Sequence, residues 1–266
     1  MKVALDVGAD DGFHGILFAF LNPKIQIYAF EPIKNSKKKI LDNLKKVEIF
    51  FGVKVNNYKI INCAISDFNG QRVFYETNYK VASSLLKPKE KLNKFWTNTN
   101  DFLIKKVSKG LKIKKKYKVK ILTLEKFCKN KHVEIIEYLH IDAQGNDLRV
   151  IKGLGKYKEK LVAGVTEVPK NDKFKIYHKE HSLKELRKKF KKWKFNIVKM
   201  EEVQKNYPSF NVYFNSSTNK QNKMNDSNFI FPTKRFERMF KRIFSDNAGL
   251  KDIIFLYYWK IKVKFL

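Results

Sequence analysis

Apolar residues along this chain fall into short continuous runs separated by amphipathic stretches. Val3-Ala4-Leu5-Asp6-Val7 and Ile25 to Phe30 are compact runs bounded by Gly, Pro or Asp, as buried strands require. Similar runs place strands near 58–64, 135–141, 161–167, 195–200 and 209–215. Between them, apolar positions return at helical spacing near 13–21, 35–46, 123–129, 146–153 and 182–193. Strand alternating with helix predicts an α/β fold: a mostly parallel, seven-stranded sheet with helices on both faces.

Two regions break the alternation. Residues 71–86 read as a hairpin with Arg72-Val73-Phe74-Tyr75 as one arm, and 87–120 as a lysine-rich insertion. Lys105 to Lys120 holds nine lysines and no acid, so exposed, mobile chain is expected there. The polar stretch 215–228 reads as a linker that closes a domain over 1–214. In the extension 229–266, Phe236, Met239, Phe240, Ile243 and Phe244 recur at helical spacing, with Arg235, Arg238, Lys241 and Arg242 on the other faces. That is a basic amphipathic helix: residues 232–266 are a candidate contact for an anionic membrane surface or a second subunit, and covering the domain's own sheet is the competing reading.

The strand ends carry the candidate chemistry. The first strand breaks into Gly8-Ala9-Asp10-Asp11-Gly12, the second ends on Glu31-Pro32, and a later one ends on Asp142-Ala143-Gln144-Gly145-Asn146-Asp147. A pyrophosphate loop needs G-x-G-x-x-G and backbone N–H groups aimed at phosphate. Here no G-x-G occurs, and the carboxylates of Asp10 and Asp11 would repel a diphosphate. Such a loop suits a cationic ligand without phosphate, and Glu31, 19 residues after Gly12, is placed to accept from ribose hydroxyls. S-adenosylmethionine meets both conditions. Asp6 orders the loop or reaches the ligand's ammonium through water. Asp142 either holds that ammonium or takes a proton from the acceptor, and His140, two residues earlier on the same strand, is a second candidate base. Gln144, Asn146, Asp147 and Glu167 are candidates to line an acceptor pocket.

These segments, with Asn62 to Gly70, Ser83-Ser84 and Leu122-Thr123-Leu124, appear in an order that resembles the FkbM-type S-adenosylmethionine-dependent methyltransferases, over roughly residues 3–168. The resemblance implies a Rossmann-like class I methyltransferase fold and O-methylation of a sugar, glycan or small-metabolite hydroxyl. It also implies adenine contacts at Ser66 and Asp67, with Ala64 and Ile65 supplying backbone and wall, and brings Ser83 and Ser84 to the substrate side. The chain departs from the family pattern at His140, where lysine is usual, and at Asn146-Asp147, in place of Ala-Glu.

Composition adds bounds. The chain has 266 residues, is 43% hydrophobic and carries a formal net charge of +31. Such a charge makes RNA the alternative acceptor. Lysine far outnumbers arginine, however, and Lys, Asn, Ile and Phe are enriched together, as compositional bias would produce. No RNA-stacking motif accompanies the lysines. Cys63 and Cys128 read as core residues of a cytoplasmic protein, and Met1-Lys2 leads straight into a strand, which leaves no room for a signal peptide. His132, His178 and His181 lack a further ligand at metal spacing, so no metal site is expected.

Overall fold

The computed structural model describes residues 1–217 and 229–245. Its main sheet has seven strands in the order β3-β2-β1-β7-β8-β10-β9. They are β1 (Lys2–Val7), β2 (Gln26–Phe30), β3 (Tyr58–Ile61), β7 (Ile135–Ile141), β8 (Leu161–Pro169), β9 (Phe195–Glu202) and β10 (Ser209–Ser216). All neighbours pair in parallel except β10, which runs antiparallel to both β8 and β9. Strand order reverses between β1 and β7, so their carboxyl ends open a crevice where doubly wound sheets bind ligands.

Alternate side chains of β1 divide the core. Val3, Leu5 and Val7 join the layer under α5 (Leu124–Asn130), α6 (Asp147–Lys152) and α7 (Leu183–Trp193). Ala4 packs with the opposite layer, built on α1 (Phe13–Leu21) and α2 (Ser36–Phe51). Helix α2 outruns the expected 35–46 and stops at Gly52, whose left-handed conformation (φ 60°) ends the helix.

The lysine-rich region corrects the expectation of a mobile insertion. Residues 94–97 form α3, α4 spans Phe102–Gly110, and Ile113–Leu122 is a regular strand, β6. Along β6, Val119 and Ile121 are buried while Lys114, Lys115, Lys116, Lys118 and Lys120 project outward, the period of a half-buried strand. Its partner is β5 (Gly70–Thr77), in antiparallel register from Gly70 opposite Ile121 to Thr77 opposite Ile113. The hairpin expected within 71–86 therefore does not form; Tyr75 and Ser84 share only an isolated bridge. The strand expected over 58–64 also divides. After β3 the chain turns at Asn62-Cys63 and Ala64–Ile65 (β4) pairs with β6 in a second, three-stranded sheet.

The chain after β10 resumes at Phe229, since 218–228, most of the expected linker, lie outside the described residues. Asn22 fixes the returning segment: its Oδ1 accepts from the Ile230 N–H at 2.6 Å and its Nδ2 donates to the Ile230 carbonyl at 3.1 Å. Phe229 stacks on Tyr138 of β7. Thr233 then caps α8 (Lys234–Phe244), and Phe236, Met239, Phe240 and Ile243 bury their side chains in the α1 and α2 layer. Of the occupants open to that apolar face, the structure places the domain's own core against it. Residues 246–266, the rest of that expected contact, lie outside the described residues. No helix among the described residues is long and apolar enough to cross a membrane.

Candidate active site

The crevice between β1, β2 and β7 is built around Gly8. Its φ is +85°, and a Cβ placed there would lie 1.9 Å from the Asp142 carbonyl oxygen, so only glycine lets the two strand ends close. The Gly8 N–H donates to the Phe30 carbonyl at 3.0 Å and the Asp142 N–H to the Val7 carbonyl at 2.9 Å. Three strand ends are locked together.

Glu31, only 5% exposed, organises the next wall. One carboxylate oxygen accepts from the Asp10 N–H at 3.0 Å, the other from the Ile33 N–H at 2.7 Å. Burial pushes its carboxyl up to about 7, against the pull of those two N–H groups. Asp10 adds its own charge and sits 3.6 Å from the Lys80 ammonium at the rim. Ile33, Ala64, Ile65, Phe74 and Leu85 form an apolar slot beside Glu31, and Gly8, Ser83, Asp142, Gln144 and Asn146 complete the lining. Asn146 is held by its side-chain amide, which donates to the Ile65 carbonyl at 2.9 Å.

Several expected donor-site residues stand elsewhere. Asp11 accepts from the Phe13 N–H at 3.1 Å, and Gly12 packs against Ile40 and Ile16, so both serve the α1 entry. Ser66 and Asp67 lie outside the cavity; Asp67 pairs with Lys152 at 2.7 Å. Asp6 is buried with one oxygen 2.8 Å from His140 Nδ1, on the α1 side of the sheet. His140 does not line the Glu31 cavity. It faces another on the α1 side, where its ring lies 4.2 Å from that of His14. Burial alone would lower the His140 pKa, but the Asp6 hydrogen bond and the charges of Asp6, Asp142 and Glu237 outweigh it and raise it.

A second cavity adjoins the first through Asp142 and Gln144, which line both. The Gln144 amide donates to Asp142 Oδ1 at 2.5 Å, and Ser84 Oγ donates to the Gln144 carbonyl at 2.7 Å. Asp147 and Glu167 open onto this second cavity, together with Trp96, Tyr177, Glu180 and Tyr207. Burial drives Asp147 up to about 7, Glu167 to about 8 and Glu180 to about 7; neighbouring carboxylates add to the first two shifts, whereas the Tyr177 and Ile176 N–H groups and the charges of Lys89 and Lys175 pull Glu180 the other way. Sequence reading missed Trp96, Tyr177, Glu180 and Tyr207. The segment Tyr177 to His181 stood out for its two histidines, yet Tyr177 and Glu180 are the residues that turn inward. Lys80 was missed as well; a lone lysine in so basic a chain carries no signal.

Carboxyls held above their ordinary range fix the sign of the pH response. Glu31, Asp147, Glu167 and Glu180 bind protons more tightly in the folded chain than in the unfolded one. The stability this confers is present at low pH and is lost as pH rises from the ordinary carboxylate range through 7 to 8. The raised His140 acts in the same direction. The Tm of the ligand-free protein should therefore fall between about pH 5.5 and about pH 8.5 in buffers of equal ionic strength; a rise across that window would contradict the burial of these groups.

The sequence matches the Methyltransferase FkbM domain over residues 6–211. The chain belongs to the FkbM methyltransferase family. S-adenosylmethionine is the cofactor of this family, and the Glu31 cavity fits it: a cradle only glycine allows, an acid at the β2 end, an apolar slot beside that acid and no phosphate-binding turn. Among characterised proteins, the FkbM chain is similar to the 2-O-methyltransferase NoeI of Sinorhizobium fredii, at 24% identity over 159 residues. That match covers 57% of this chain and 56% of the relative, so the chain spans about half the length of the curated protein it matches. Among solved structures it is similar to methyltransferase FkbM from Methylobacillus flagellatus KT, with 12% identity and a TM-score of 0.49 over 80% of this chain and 44% of that one. It is similar also to M. capricolum TrmK in complex with S-adenosyl-homocysteine, with 12% identity and a TM-score of 0.44 over 99% of this chain and 90% of that one.

The two cysteines take no part. Cys63 and Cys128 are free and buried, and burial pushes both thiols up to about 12, far from a reactive thiolate. No three of the described His, Cys, Asp or Glu side chains approach closely enough to hold a metal ion.

Proposed function

We propose that the protein is an S-adenosylmethionine-dependent O-methyltransferase whose acceptor is a hydroxyl on a sugar, glycan or small metabolite. The observation that carries this reading is the shared wall: Asp142 and Gln144 line both the Glu31 cavity and the cavity beyond it. A donor in the first and an acceptor in the second would meet there. Bound S-adenosylmethionine supplies a methyl group on a sulfonium, which reacts by in-line displacement. The chain's task is then alignment, exclusion of water and removal of one proton.

Glu31 accepts from the ribose hydroxyls, with Asp10 closing the rim, and the slot from Ile33 to Leu85 takes the adenine. Asp142, raised by burial, is the proton acceptor for the attacking hydroxyl. Gln144 orients it through the 2.5 Å bond. His140 and Asp6 act from behind, setting the charge beside Asp142 rather than touching the acceptor. Asp147 and Glu167 line the acceptor side, and Ser83 and Ser84 shape it through the backbone. Ser83 Oγ accepts from the Thr77 N–H at 3.0 Å, and Ser84 fixes the Gln144 turn.

Calorimetric titration with S-adenosyl-homocysteine tests the donor site. Wild type should bind, and Glu31→Ala should lose about 1–3 kcal/mol of binding free energy, the worth of hydrogen bonds to a charged acceptor. Equal affinity in the two proteins would remove Glu31 from the site.

A further inference from the structure

The cavity beyond Asp142 gathers acidic groups that its surroundings leave without a cation. The chain carries 57 Lys and Arg residues, yet none lines this cavity. Asp142, Asp147, Glu167 and Glu180 all do, and none of the four forms a salt bridge with a lysine or arginine among the described residues. Asp142, Asp147 and Glu180 are each anchored on one side. Asp147 Oδ1 accepts from the Ala143 N–H and the Thr166 hydroxyl, both at 3.3 Å. Glu180 Oε2 accepts from the Ile176 and Tyr177 N–H groups at 2.7 and 2.9 Å. Gln144 donates to Asp142, and Ser209 lines the cavity with Glu167. A metal does not account for the cluster, because no three of these side chains converge at metal-binding spacing.

A second observation points the same way. Trp96 lines the cavity, is 2% exposed, and its indole N–H has no partner. A buried unpaired donor costs free energy until it meets an acceptor. An occupant must therefore bring donors, preferably cationic, to the carboxylates and an oxygen acceptor to the indole. Trp96, Tyr177, Tyr207 and Phe174 give it an aromatic lining.

We propose that this cavity takes an acceptor bearing a free ammonium beside its hydroxyls, an amino sugar that is not N-acylated. Asp147, Glu167 and Glu180 hold the ammonium, and Trp96 donates to a ring or hydroxyl oxygen. An entering ammonium favours the ionised form of these carboxyls and gains a charge-assisted contact, which neither a neutral nor an N-acylated sugar can do. This rests on the methyltransferase reading of the same site and narrows its acceptor.

The test uses the full chain saturated with S-adenosyl-homocysteine. Glucosamine, galactosamine and mannosamine are titrated calorimetrically near pH 7.5, each against its N-acetyl form and the matching neutral hexose. At least one free amine should bind about tenfold or more tighter than both counterparts, as a charge-assisted contact implies. Glu167→Gln and Asp147→Asn should each shrink that preference, while the melting temperature still rises on adding S-adenosyl-homocysteine, which shows an intact donor site. The proposal is overturned if S-adenosyl-homocysteine binds but no free amine does. It is overturned equally if the N-acetyl or neutral sugar binds as tightly, or if both variants keep the full preference. Failure of S-adenosyl-homocysteine to bind wild type would instead bring down the methyltransferase reading beneath it.

Discussion

Gly8→Ala should abolish measurable binding of S-adenosyl-homocysteine and lower stability by about 3 kcal/mol or more, among the largest effects any single methyl can have here. Two costs combine. The φ of +85° lies in the region that L side chains avoid, and the new Cβ would sit 1.9 Å from the Asp142 oxygen and 2.8 Å from its carbonyl carbon. Those are backbone atoms, tied by the bond from the Asp142 N–H to Val7, so no rotamer change relieves the clash. The ends of β1 and β7 must separate, and Asp142 and the loop carrying Asp10 move apart with them. A displacement of about 1 Å at such a site costs on the order of a hundredfold in function. Gly70→Ala separates strain from clash, since its φ is +145° but nothing lies within 4 Å of its Cβ position. Thermal unfolding and calorimetric titration of both variants decide the matter. If Gly8→Ala matches Gly70→Ala in both measurements, the close approach of the strand ends is not what shapes the donor site.

Legibility in the sequence followed burial. Strands β1, β2, β7 and β8 are covered on both faces, so they appear as mainly apolar runs with few polar interruptions, and the residues at their carboxyl ends face the crevice by topology. That logic leads directly to Gly8, Glu31 and Asp142. Strand β6 defeats it because only one of its faces is covered: Val119 and Ile121 alternate with lysines that suggest solvated coil. Its partner β5 lies across the intervening residues 78–112, a pairing that no local period reports. The wall of the second cavity was hidden for a related reason. Trp96, Tyr177, Glu180 and Tyr207 come from separate loops and short helices, and each looks like ordinary core or surface until the chain is closed. His140 shows the limit of reasoning by alternation. Its spacing from Asp142 suggested a common side, and both do line the α1-side cavity, but only Asp142 also reaches the Glu31 cavity, because Asp6 draws the imidazole toward α1.

Helix α8 makes the same point about partners, and Phe240→Ala tests it. The helical period identified an apolar face but could not say what covers it. In the structure Phe240 is fully buried, with ring centroids 5.9 Å from Phe20 and 6.1 Å from both Phe51 and Phe13. Truncation in so enclosed a site leaves a cavity that other rings cannot fill without shifting α1, so a loss of about 3–5 kcal/mol is expected on urea denaturation. Phe244 is only partly buried, and Phe244→Ala should cost clearly less. A loss below about 1 kcal/mol for Phe240→Ala would mean that α8 does not sit on the domain, and its apolar face would again be free for a bilayer or a second subunit. The helix also bears on the site. Glu237 lies 3.8 Å from His14, whose ring stacks beside His140, and α1 begins where the Gly8–Gly12 loop ends. Undocking α8 should therefore weaken S-adenosyl-homocysteine binding as well as the fold. A truncated core residue remote from that chain, such as Phe190→Ala under α7, should lower stability and leave the affinity of the remaining folded protein unchanged.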